Sequence, residues 1–103
     1  MSMADLLLEL ENWYAAQTDG DWEHSFGVEI STLDNPGWAV TLDLTGTLLQ
    51  DRSFSSIRVH RDSRDWYECS VASNQFRGFG GARNLKNILE GFVEWKTRCE
   101  RSS

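Results

Sequence analysis

Residues 26–44, FGVEISTLDNPGWAVTLDL, decide how this chain is built. Phe26, Val28 and Ile30 alternate with Gly27 and Glu29, and Trp38, Val40, Leu42 and Leu44 alternate with Ala39, Thr41 and Asp43. A period of two puts one set on each face of a strand. Between the two runs, Leu33-Asp34-Asn35-Pro36-Gly37 carries turn chemistry: Asx side chains bond nearby backbone, Pro presets φ and Gly accepts conformations closed to other residues. So short a link joins antiparallel neighbours, because parallel strands need a crossover of about a dozen residues or more. The stretch predicts a β-hairpin.

Upstream, Ser2 and Asp5 form a variant of the capping box. Leu6, Leu7, Leu10, Trp13, Tyr14 and Gln17 then recur three and four apart, predicting an amphipathic helix over 3–17 that Thr18-Asp19-Gly20-Asp21 stops. Downstream, a polar stretch, Gln50 to Ser56, connects to alternation at Ile57, Val59 and Arg61. Asp62-Ser63-Arg64-Asp65 turns into Trp66–Val71, where Tyr67, Cys69 and Val71 lie opposite Trp66, Glu68 and Ser70. A short fifth strand, Gln75 to Phe79, ends at Gly80-Gly81. A last helix begins near Asn84 with a buried stripe of Leu85, Ile88, Leu89, Phe92, Val93 and the stem of Lys96, with Trp95 and Cys99 at its edge. The order predicts an α+β fold: an antiparallel sheet of about five strands in a meander, flanked by N-terminal and C-terminal helices that cover one face. At 103 residues the chain has room for one core, so a single domain over 1–103 is expected.

Hydrophobic residues make up 40% and charged residues 25%, the balance of a globular chain rather than a disordered one. No apolar run approaches the ~20 residues of a membrane span, and the N-terminus lacks the basic region of a secretory signal, so a cytoplasmic protein is expected. There are 16 Asp+Glu against 10 Lys+Arg, a formal charge of −6, and the signs are segregated. Residues 1–51 contain Asp5, Glu9, Glu11, Asp19, Asp21, Glu23, Glu29, Asp34, Asp43 and Asp51 and no Lys or Arg. The halves can simply attract one another in the fold; alternatively, the anionic half is a docking surface that speeds encounter with a basic partner and repels nucleic acid.

The motifs of phosphate-binding loops, dinucleotide folds, zinc proteases and nucleophile elbows are missing, so no catalytic residue and no cofactor is assigned. His24, His60, Cys69 and Cys99 form no close pairs of the kind structural zinc uses, and no metal ligand is assigned. The two cysteines lie in a strand and near a helix end, outside any anion-cradling loop that would lower a thiol pKa. Asp19, Asp21, Glu23 and His24 could be read as acid-base groups, but Asp-Gly-Asp is turn chemistry first. The competing functional reading is a single-stranded nucleic-acid-binding module: Arg52, Arg58, Arg61, Arg64, Arg77 and Arg83 are interleaved with Trp66, Phe76 and Phe79. The overall acidity opposes it.

The strings Gly20-Asp21-Trp22-Glu23-His24 and Thr32-Leu33-Asp34-Asn35-Pro36-Gly37-Trp38, followed by Asp43-Leu44, Asp65-Trp66, Gly78-Phe79-Gly80-Gly81 and Asn84-Leu85, resemble immunity protein family fifty-three of bacterial polymorphic toxin systems. The resemblance runs from Leu10 to Trp95. It implies a non-enzymatic cytoplasmic antidote, encoded beside a toxin, that binds the toxin domain and blocks its active site or substrate entry. Cytosolic protection suits toxins acting on nucleic acid, NAD or translation, and an acidic surface could occupy a basic cleft as a phosphate mimic. Asp19, Asp21, Glu23, Asp34 and Asp43 are the candidate anionic contacts, with Trp66 as an aromatic anchor. Motif residues could instead specify the fold and leave partner choice to other exposed positions.

Overall fold

The computed structural model describes residues 1–102. In chain order it contains α1 (Met3–Gln17), α2 (Trp22–Ser25), β1 (Val28–Leu33), β2 (Gly37–Asp43), β3 (Ile57–His60), β4 (Trp66–Ala72), β5 (Gln75–Gly80) and α3 (Leu85–Ser102). The architecture is α+β, a five-stranded antiparallel sheet with a helix at each end of the chain.

The expected capping box opens α1: the Ser2 hydroxyl accepts from the Asp5 N–H at 3.2 Å, and the Asp5 carboxylate accepts from the Ser2 N–H at 3.3 Å. Thr18 closes the helix, and Gly20 follows at φ 95°. Only Leu6, Leu10 and Trp13 are buried; Leu7 and Tyr14 stay exposed, so the covered stripe is narrower than the periodicity suggests. The reason is that α1 packs chiefly along α3, which covers a single helix-width seam. Lys96, almost wholly buried on α3, reinforces that seam by pairing with Glu9 of α1 at 3.3 Å and with Glu100 at 3.2 Å.

The strands lie in the order β1-β2-β5-β4-β3, which departs from a continuous meander. The β1-β2 hairpin forms as expected, Ile30 opposite Val40. The next chain segment does not pair with β2. Residues 44–56 travel to the far edge, burying Leu44 and Leu49 and packing Phe54 on Phe76 and Trp95, and β3, β4 and β5 return from that edge to dock β5 on β2. Tight turns enforce pairing of sequence neighbours, whereas a long connection leaves the slot beside β2 open to a later strand.

One face of the sheet carries the core. Val40, Leu42, Phe76 and Cys69 point into a cluster with Ile88, Leu89, Phe92 and Val93 of α3 and with Leu6, Leu10 and Trp13 of α1. Edge-to-face ring contacts run from Trp13 to Phe92 at 5.1 Å and from Phe92 to Phe76 at 5.3 Å, tying α1, α3 and β5 together. The helix lies close because β5 presents a glycine: a Cβ on Gly78 would run into Ile88 Cγ2.

Candidate functional site

Both long helices bury their apolar stripes on one side, so the alternate residues of every strand form a second, uncovered face. Along β5, Phe76, Gly78 and Gly80 are buried while Arg77 and Phe79 are exposed. Because β5 is the central strand, Phe79 stands in the middle of that face, opposite Ala39 on β2 and Glu68 on β4, with 41% of its surface exposed. It separates two depressions. One, of ≈ 570 Å³, extends past Arg77, Gln75, Thr41 and Asp43 to Glu29 on β1. The other, of ≈ 400 Å³, is lined by Arg58, Glu68 and Ser70 on the β3-β4 side.

Polar contacts hold this surface in shape. Asp43 accepts from the Gly27 N–H at 2.9 Å and from the Gln75 amide at 2.8 Å, and Gln75 in turn accepts from the Arg77 guanidinium at 2.8 Å. On the other side Glu68 accepts from Arg58 at 2.8 Å and lies 3.4 Å from His60. The arginine holds the Glu68 carboxyl below the ordinary carboxylate range, but the pair is exposed and worth at most ~1 kcal/mol. Trp66 also points to this face, half-buried, its ring 5.6 Å from that of His60.

The five candidate carboxylates do not form one patch. Asp19 accepts from the Asp21 and Trp22 N–H groups at 2.9 Å each, and Glu23 accepts from the Asp19 and Gly20 N–H groups at 3.0 and 2.8 Å. The Trp22 and Asp21 N–H groups lower the Asp19 pKa; backbone N–H groups of Glu23 itself, Asp19 and Gly20 lower that of Glu23. These bonds build the turn into α2, which buries Trp22 and lets its indole N–H donate to the Thr45 carbonyl at 2.8 Å. Asp43 joins them at the end of the sheet where β1 begins, whereas Asp34 lies in the hairpin turn at the other end of β1, about 17 Å along the strand. Asp21 and Asp34 are the two exposed candidates whose carboxylates make no hydrogen bond among the described residues.

Other motif residues also hold the fold. The Trp38 indole N–H donates to the Ala82 carbonyl at 2.9 Å, and Gly37 sits where a Cβ would strike the Gly80 carbonyl. Asn84, buried at the start of α3, donates to Asp65 at 3.0 Å and accepts from the Trp66 N–H at 3.4 Å, pinning the helix to β4.

The arginine series divides in the same way. Arg52 donates to the Cys99 carbonyl near the C-terminal end of α3, while Arg83 precedes the helix start, about 21 Å away along the helix axis. Arg58, Arg61 and Arg77 are engaged by Glu68, Asp65 and Gln75. Arg64 and Arg83 flank a cleft of ≈ 410 Å³ with Asn35 and Pro36 at the hairpin-turn end of the sheet. Phe76 is internal, which removes it from the proposed stacking series.

Cys69 and Cys99 are both free thiols. Burial pushes the Cys69 thiol up to about 12, so it stays protonated and unreactive at neutral pH. Among the described residues no three His, Cys, Asp or Glu side chains come together to hold a metal ion, and no helix is long and apolar enough to cross a membrane.

Phe79 was not singled out as an anchor from sequence. Its signal is local: in a strand read Gln-Phe-Arg-Gly-Phe-Gly, the glycines mark the side that a helix approaches and leave the second Phe on the other.

A family model described as Immunity protein 53 matches residues 7–97. No curated protein and no solved structure matches the chain.

Proposed function

Because the chain belongs to the immunity protein 53 family, we propose that it neutralises a cognate toxin domain by stoichiometric binding, with the uncovered sheet face around Phe79 as the contacting surface. The observation that carries this reading is the exposed Phe79 at the centre of that face. It is a large apolar side chain on the central strand, standing between a polar depression on the β1 side and a more apolar one on the β3-β4 side. Binding energy concentrates in such aromatic anchors, with a polar rim that excludes water around them.

The toxin acts in the cytoplasm, where this antidote meets it, and a nuclease is the fitting class. Glu29, Asp43, Asp21 and Asp34 supply negative charge around or beyond the depression on the β1 side, suited to a basic substrate cleft whose active site the antidote blocks. Trp66 contributes a second, smaller contact. Asp19 and Glu23 add to the negative field from within their turn.

The test is co-expression with the product of the neighbouring gene: rescue of growth and a one-to-one complex are expected. Asp21→Lys/Asp34→Lys leaves the described hydrogen bonds intact and is expected to slow association and flatten its dependence on salt. Wild-type association kinetics in the double variant would remove these two charges from the interface.

A further inference from the structure

The two edges of the sheet are protected to different degrees. β3 has four residues and carries Arg58 and His60, the side chains that blunt an edge. β1 has six, Val28–Leu33, with no Lys, Arg, Pro or bulge; its backbone pairs with β2 in unbroken register. The direction of its free hydrogen-bonding groups follows from that register. The Asp43 N–H donates to the Gly27 carbonyl at 3.1 Å, and these residues are opposite one another, so they form a hydrogen-bonded antiparallel pair. The alternation then assigns Glu29, Ser31 and Leu33 to the bonds with β2 and turns the N–H and C=O groups of Val28, Ile30 and Thr32 away from the sheet. No other described residue pairs with those backbone groups. Ile30 is also 39% exposed, a large apolar side chain partly open to solvent at this edge.

We propose that β1 is a strand-addition site: an extended segment of the toxin joins the sheet through the outward N–H and C=O groups of Val28, Ile30 and Thr32. The inference rests on the toxin-binding reading and says how the toxin is gripped. The register also prescribes the segment's chemistry. A residue opposite Ile30 falls on the helix side of the sheet and is apolar, extending the core over Ile30. Its neighbours fall on the uncovered side, beside Glu29 and the mouth of the depression that leads past Asp43 to Phe79, and are basic. The added strand is therefore continuous with the Phe79 surface. The same charges disfavour a second copy of this chain, since β1 lies in the half with ten carboxylates and no Lys or Arg. Main-chain bonds supply affinity in this mode of recognition and alternate side chains supply selectivity.

The experiment uses the full chain and the toxin domain encoded beside it, reading amide hydrogen exchange residue by residue, free and in complex. Slowed exchange at Val28, Ile30 and Thr32 on complex formation is expected. Ile30→Pro removes one outward donor without touching the bonds to β2, since proline is tolerated on a free strand edge, and is expected to weaken binding about tenfold or more. A wild-type complex in which those amides exchange as in the free protein overturns strand addition while leaving toxin binding intact. Should Ile30→Pro fail to fold, the wild-type exchange pattern alone decides. Absence of any complex with wild-type protein removes the toxin-binding reading and this inference with it. Protection of the same amides in the free protein, rising with concentration alongside a sedimenting dimer, gives the edge to a second copy and overturns the proposal.

Discussion

Truncating Phe79 to alanine is the sharpest test of the proposed contact surface. A phenylalanine presents on the order of 200 Å² in all, and Phe79 leaves 41% of its surface in water, so roughly 80 Å² is available for a partner to cover. At about 25 cal/mol per Å² that area corresponds to roughly 2 kcal/mol, or about a 30-fold rise in the dissociation constant. The fold should survive, because the ring faces away from the core built by Phe76, Ile88 and Phe92 and no buried group loses a hydrogen bond. Isothermal titration calorimetry of the variant against the neighbouring toxin domain gives the affinity, and circular dichroism with a thermal melt confirms that both proteins compared are folded. A dissociation constant within about threefold of wild type, in a folded variant, refutes the assignment of Phe79 as the anchor. Trp66→Ala, at the β4 end of the same face, is expected to have the smaller effect on binding.

Two further outcomes concern the scaffold. Gly78→Ala drives a methyl group into Ile88 and is expected to cost about 1–3 kcal/mol by overpacking, and Ile88→Ala about 2–5 kcal/mol by leaving a cavity. Together they should cost less than their sum by more than about 1 kcal/mol, because the new methyl enters the vacated space; urea unfolding that shows additivity within about 0.5 kcal/mol contradicts the contact. The carboxylates of Asp19 and Glu23 have pKa values below their ordinary 3.8 and 4.5, so they bind protons less readily folded than unfolded. Their stabilisation is present above those values and is lost as the pH falls through the lower folded ones. Asp19→Asn/Glu23→Gln should therefore lose less melting temperature than wild type between pH 5 and roughly pH 2; parallel curves would show that the α2 turn does not depend on these charges.

What the sequence determined by itself is whatever one short window of chain decides. Ser2 and Asp5 cap α1 across three residues, Asp34 to Gly37 turn the hairpin, and Ile88, Leu89, Phe92 and Val93 recur at helical spacing. Each depends on groups within a turn or two of each other, and together they yield the α+β class and the placing of its long helices and hairpin, though not the short α2 at Trp22–Ser25, which reads as turn in the sequence. Periodicity also separates the two faces of each strand, but it does not say which face the helices cover. The glycines of β5 point to that side, and the tertiary structure fixes it by laying α3 against Gly78, which makes Phe76 core and Phe79 the centre of the open surface. Strand order was hidden, since residues 44–56 carry no mark of where they lead and β5 reaches its place beside β2 through contacts distant in sequence.

The acidic residues show the same division. Their number and segregation are plain in the chain, and the turn character of Asp19 is readable from Asp-Gly-Asp. That Asp43 closes on the Gly27 N–H and the Gln75 amide, and that Asp34 stands a strand's length from the other carboxylates, depends on which backbone and side-chain groups the fold brings within hydrogen-bonding distance. Charge is a property of residues and is visible in sequence; whether a charge is committed to the fold or left for a partner depends on its neighbours in space, and only tertiary structure supplies those.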